Sequence, residues 1–137
     1  MGAWGVLAFD NDDANDWAYG LEEVEDLSLV VEAFAAAEGA ESYLEAPDAC
    51  NALAACEVLA RLRGNFGYQN AYTEKVDAWV KKHPQKPAAE LVARADEVIR
   101  LVLGPQSELR ELWEEGKGDR GAGWVKAVED LRRRVGG

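Results

Sequence analysis

Four carboxylates, Asp10, Asp12, Asp13 and Asp16, fall within one short stretch near the start of the chain, with Asn11 among them. Closely spaced oxygen donors are what Ca²⁺ and Mg²⁺ take as ligands. The spacing is not that of an EF-hand loop, however. Counted from Asp10, the sixth position is Asn15 where such a loop needs glycine, and the twelfth is Leu21 where it needs glutamate. Three uses remain for the cluster. It is a metal site at Asp10, Asp12, Asp13 and Asp16, a partner-binding surface, or (the plainest use) a helix cap with a solvated acidic face.

Other side chains with chemical potential are few. His83 is the only histidine, which excludes multi-histidine metal sites and leaves little for acid–base catalysis. Beside Lys81 and Lys82 it reads as a dipole-matched residue at a helix end. Cys50 and Cys56 are six apart in an apolar stretch. Six helical residues rise about 9 Å, whereas a disulfide needs Cα atoms roughly 4.4–6.8 Å apart. Both cysteines therefore read as small buried apolar residues in a reducing compartment. The segment GKGDRGAG (116–123) lacks the G-x-x-x-x-G-K-[ST] phosphate-loop pattern and reads as a surface loop. In GNFGYQN (64–70), Phe66 and Tyr68 either touch a partner or fold back over the core.

Charge narrows the partners further. The chain has 137 residues and a net charge of −11. Residues 1–60 hold fourteen Asp or Glu and no Lys or Arg, while the rest holds twelve acids and fifteen bases. An acidic half of this kind disfavours nucleic acid and anionic membrane and suits a basic protein. Arg61, Arg63 and Arg132–Arg134 are the basic concentrations, too narrow for a nucleic-acid face. They are candidates to pair with the acidic half, inside the fold or between protomers. No apolar run reaches the ~18 residues of a membrane span. No basic segment followed by an apolar one opens the sequence, so the expectation is a cytoplasmic protein.

The elements that must position these groups are helical. Residues 1–11 are expected to form an extended N-terminal arm anchored by Trp4 and Phe9. Asp12 or Asp13 is then expected to cap a short helix with Trp17, Leu21 and Val24 on one stripe. Asp26 can cap a second helix, with Leu27, Val30, Val31, Phe34 and Ala37 inward and Gly39 at its end. Pro47 suits the first turn of a third, and Ala49 to Leu62 is apolar nearly all round, the mark of a central helix. Tyr72, Val76, Trp79 and Val80 predict a fourth. Pro87 opens a fifth, with Leu91, Ala95, Val98, Ile99 and Val102 inward. Ser107 caps a sixth carrying Leu109, Leu112 and Trp113. Trp124, Val125, Val128, Leu131 and Val135 mark the last. No alternating strand pattern of convincing length and no repeat is visible. The fold class is all-α: one domain over residues 1–137, a bundle or orthogonal array of five to seven helices.

The opening MGAWG-x3-FDNDDA-x-DW resembles a bacterial domain-of-unknown-function family, number four-two-five-nine. Trp4, Phe9, Asn11, Asp12, Ala14, Asp16 and Trp17 carry the likeness at fixed spacing. ACNALAACEVLARLRG (49–64), SELRELWEE (107–115) and the Trp-led last helix extend it over essentially the whole chain. Leu7 departs from it, standing where a small residue, often glycine, is expected. The resemblance implies no activity, ligand or catalytic residue. It suggests a structural signature in Trp4, Phe9, Asn11 and Trp17, which would pin the arm across the helical body.

The functional expectation is a non-enzymatic interaction protein. Its acidic face, with Asp10, Asp12, Asp13, Asp16, Glu22 and Glu23 and the loop aromatics Phe66 and Tyr68, would meet a basic partner in an inhibitor- or immunity-like role. No cofactor and no catalytic residue is expected, and the chain is expected as a monomer or weak homodimer. The alternatives are a metal-dependent enzyme or metal-stabilised protein using Asp10–Asp16, and a self-associating structural module.

Overall fold

The computed structural model describes residues 5–40, 42–115 and 120–136. Among these residues the chain forms seven α-helices and no strand. They are α1 (Asp12–Tyr19), α2 (Ser28–Glu38), α3 (Ala46–Leu62), α4 (Glu74–Lys82), α5 (Ala89–Val102), α6 (Glu108–Glu115) and α7 (Arg120–Gly136). A 3₁₀ turn, Gly20–Glu23, continues α1.

The expected central helix is central. All six other helices pack on α3, and every residue from Ala52 to Arg61 is buried. Ala52, Ala54, Ala55 and Ala60 are fully buried. Their small side chains let neighbours approach closely on several sides, which is what a helix with no polar face requires. Pro47 lies in the first turn of α3, where its missing N–H costs nothing.

Several connections are pinned. Leu44 pairs with the loop before α6, donating its N–H to Gln106 O at 2.8 Å and accepting from Glu108 N at 2.9 Å. The indole of Trp79 donates to Val24 O at 2.9 Å, tying α4 to the segment after the 3₁₀ turn. Trp113 and Trp124 are buried and lie nearly parallel between α6 and α7, with ring centroids 6.3 Å apart. A Cβ on Gly121 would come within 3.0 Å of Trp113 O, so this glycine permits the tight approach of the two helices.

The structure revises some local expectations. The cap of α1 is Asn11, whose side chain accepts from Ala14 N at 2.8 Å, not Asp12 or Asp13. The described part of the arm is a series of bends rather than an extended run. Helix α4 starts after Tyr72, leaving that residue largely exposed. Val31 and Val125 also face outward. Residues Arg120 to Gly123 of the expected GKGDRGAG loop are the first turn of α7. Trp4 lies outside the described residues.

Candidate functional site

Glu57 is the one acid inside the apolar run of α3, and it is 1% exposed. Burying a carboxylate is costly unless it is paired and hydrogen-bonded. Two arginines do this. Arg134 from α7 grips it with both Nη atoms, each 2.9 Å from a separate carboxylate oxygen. Arg61, one turn further along α3, donates to the same Oε1. Arg61 also donates through Nε to Asp77 Oδ1 at 2.7 Å and through Nη2 to Tyr68 O at 2.7 Å. Thr73 Oγ1 donates to the other oxygen of Asp77 at 2.8 Å. Arg134 Nε donates to Asp130 Oδ2 at 2.8 Å.

The loop 64–70 is shaped around this cluster. Gly64 and Gly67 both have positive φ, +86° and +70°, a region open to glycine. A Cβ at Gly67 would lie 2.6 Å from Arg134 Nε. Asn65 donates to Arg134 O at 2.8 Å, while Arg134 Nη1 donates to Asn65 O and Phe66 O, both at 3.2 Å. Phe66 and Tyr68 stack on the Arg61 guanidinium, 5.7 and 5.0 Å from their ring centroids. Of the two uses the sequence allows for these aromatics, contact with a partner or folding back over the core, Phe66 packs against the core and both rings lie over Arg61. Burial disfavours the Arg134 charge, and the carboxylates of Glu57 and Asp130 more than offset that, so its pKa lies above the usual guanidinium value. A group so held does not exchange protons near neutrality. The cluster is a lock joining α3, α4, α7 and the loop.

The early carboxylates behave differently. Asp12, Asp13, Asp16, Glu22, Glu23, Glu25 and Asp26 are exposed. None of them enters an ion pair with a described residue. Of the described acids among the first sixty residues, Glu57 and Glu38 do so, the latter with Arg94 at 2.6 Å. Seven arginines are occupied in ion pairs: Arg61, Arg94, Arg100, Arg110, Arg132, Arg133 and Arg134. Asp16 falls in the last turn of α1, which contains no basic residue, and Glu22 and Glu23 follow in the 3₁₀ turn. A helix C-terminus favours cations, so these acids stand at the wrong end of the dipole. Lys75 and Lys82 line a surface pocket with Glu22, and Lys75 sits over the Tyr19 ring at 3.6 Å.

Asp10 is separate again. It is half-buried, and its carboxylate accepts from Leu7 N at 3.1 Å, while its own N–H donates to Leu7 O at 3.0 Å. Asn15 returns to the arm, donating to Phe9 O at 2.7 Å. Among the described residues no three His, Cys, Asp or Glu side chains converge to hold an ion. Asp10 is spent on the turn of the arm, Asp12 and Asp16 are exposed, and Asp13 is exposed at the mouth of a cavity.

Between the arm, α3, α6 and α7 lies a cavity of about 160 Å³. Its walls include Leu53, Leu112, Trp113 and Trp124, and Glu57, Asp130 and Arg134 form a charged end. Asp13 stands on its lining from the α1 side. Cys50 also lines it, its thiol pushed up to about 12 by burial and then by the Asp13 carboxylate.

A family model described as Domain of unknown function (DUF4259) matches residues 2–127. The chain belongs to that family. No curated protein and no solved structure matches it. The opening that resembles DUF4259 now has a physical account for its described residues. Asp10 closes a turn with Leu7, Asn11 caps α1, and Phe9 is fully buried. The turn forms with Leu7 in place, since among the described residues none but glycine has positive φ. The DUF4259 match includes Glu57 and Arg61 and ends short of Arg134. Among the described residues no helix is long and apolar enough to cross a membrane.

Proposed function

We propose that this DUF4259 domain is a non-enzymatic interaction protein that docks a cationic protein against the acidic surface of α1 and the following 3₁₀ turn. One observation carries the reading. Asp16, Glu22 and Glu23 crowd the C-terminal end of α1 without an ion pair among the described residues, although most arginines are already paired elsewhere. Folding gains nothing from acids there, so their use lies outside the fold. The inward turn of Phe66 and Tyr68 removes them from this surface and leaves the contact largely electrostatic. Complementary charge of this kind speeds encounter and makes it salt-sensitive.

The test is capture of basic proteins from native lysate at low and high salt, by the parent and by the variant Asp16→Asn/Glu22→Gln/Glu23→Gln. The parent should retain a discrete basic protein at low salt and release it at high salt, and the variant should lose it. Equal capture by the two chains would overturn the reading. A symmetric dimer through acidic and basic faces competes with it, but the ion pairs within the chain leave less free cationic surface for such a contact.

A further inference from the structure

The cavity between the arm, α3, α6 and α7 is a second, independent feature. We propose that it binds a small organic cation, a primary ammonium carried on a ring-sized or short-chain apolar body. Size sets the body. The cavity measures about 160 Å³, and an apolar protein cavity of roughly 150 Å³ takes up benzene. The walls set its character. Leu53 and Leu112 are aliphatic, and Trp113 and Trp124 add a stacked indole pair, whose Trp113 ring already holds the Arg120 guanidinium 5.2 Å from its centroid, so this aromatic wall is one that accepts a cation.

Charge sets the head group. Three carboxylates line the cavity, those of Asp13, Glu57 and Asp130, against the single guanidinium of Arg134. Arg134 already donates to Glu57, Asp130 and the carbonyls of Asn65 and Phe66. An anion would find that guanidinium already engaged, and because Arg61 also holds Glu57 and Arg133 also holds Asp130, Asp13 is the lining carboxylate left without an ion pair to a described residue. An ammonium would meet Asp13, which is exposed and has no ion pair with a described residue. Cys50 faces the cavity as a neutral thiol and leaves this balance unchanged. Pockets of this form, apolar with a few convergent polar groups, are where small ligands bind.

The experiment uses the full chain and three probes of one shape: 2-phenylethylamine, 2-phenylethanol and 3-phenylpropionate. A ligand that binds only the folded state raises the melting temperature with concentration. The amine should give a saturable rise, the alcohol a smaller one and the carboxylate none. Calorimetric titration should then show the amine binding about tenfold more weakly to Asp13→Asn, an exposed site whose loss leaves the fold intact, as expected for a lost charge-assisted contact. Ala127→Phe, at the partly exposed lining, should abolish binding of amine and alcohol alike. The proposal is overturned if no probe shifts the melt, if amine and carboxylate shift it equally, or if both variants bind the amine as the parent does. None of these outcomes depends on the acidic surface at the end of α1, so the two readings stand or fall separately.

Discussion

Glu57 is a buried carboxylate held by two arginines. Removing one partner of a buried ion cluster leaves the others charged and unpaired, which costs about 3–5 kcal/mol. Glu57→Ala should lose stability of that order in chemical denaturation. Replacing Glu57, Arg61 and Arg134 together by apolar residues of similar volume should cost much less. An unchanged denaturation midpoint for Glu57→Ala would contradict the cluster's role as a lock. The cysteines give a second check. Burial pushes the Cys50 thiol up to about 12 and holds Cys56 well above its ordinary value. Both should resist a thiol-specific reagent at mildly alkaline pH in the native protein and react fully once it is unfolded. The lone acid of an apolar helix, followed four residues later by an arginine, was a visible signal for half of this cluster. Its partner Arg134 was not. A run of three arginines at a helix end reads as dipole matching, and nothing local distinguishes the one that turns inward.

At the scale of elements, helices with strong stripes were legible because periodicity reports burial directly. Residues such as Val98, Ile99 and Leu131 fell where their spacing put them. The ends were harder. Asn11 outcompeted Asp12 and Asp13 as the cap of α1 because it also reaches Ala8 O, at 3.1 Å, and so fixes the arm. The loop 64–70 was recognisable as a loop, but its purpose lay in a residue nearly seventy positions away. Gly67→Ala should be destabilising by about 1–3 kcal/mol, from its positive φ and from the crowding of Arg134. Gly64→Ala, with open space around it, should lose less, and thermal melts of the pair check the difference. Between α5 and α7, Arg132 holds Asp96 below its ordinary 3.8 through a hydrogen bond of 2.6 Å. A lowered folded-state pKa contributes stability above the unfolded value, and that contribution is lost as pH falls through the folded one. The pair is partly exposed, so its worth is about 0–1 kcal/mol. Parent and Asp96→Asn should therefore differ slightly near neutrality and converge in acid. A gap that widens on acidification would contradict this sign.

Over the whole molecule, charge is divided by the way the arginines are spent. Among the described residues the C-terminal half keeps most of its arginines in pairs of its own, reaching into the acidic half at Glu57 and Glu38. The acidic excess of residues 1–60 was plain in the sequence; that it would stay unneutralised was not, because pairing is decided by which side chains the fold brings within reach. The consequence is a group of acids at the end of α1 that stands against the helix dipole, with Lys75 and Lys82 lining the same surface pocket as Glu22 but without an ion pair to it among the described residues. The most direct measurement is the low-salt melting temperature of Asp16→Asn/Glu22→Gln/Glu23→Gln beside that of the parent. If the surface exists for a partner, the variant melts at the same temperature or a few degrees higher, at about 2–4 °C for each kcal/mol of repulsion removed. A melting temperature several degrees below the parent's would mean that these carboxylates hold the fold together, and the account of the surface would be wrong.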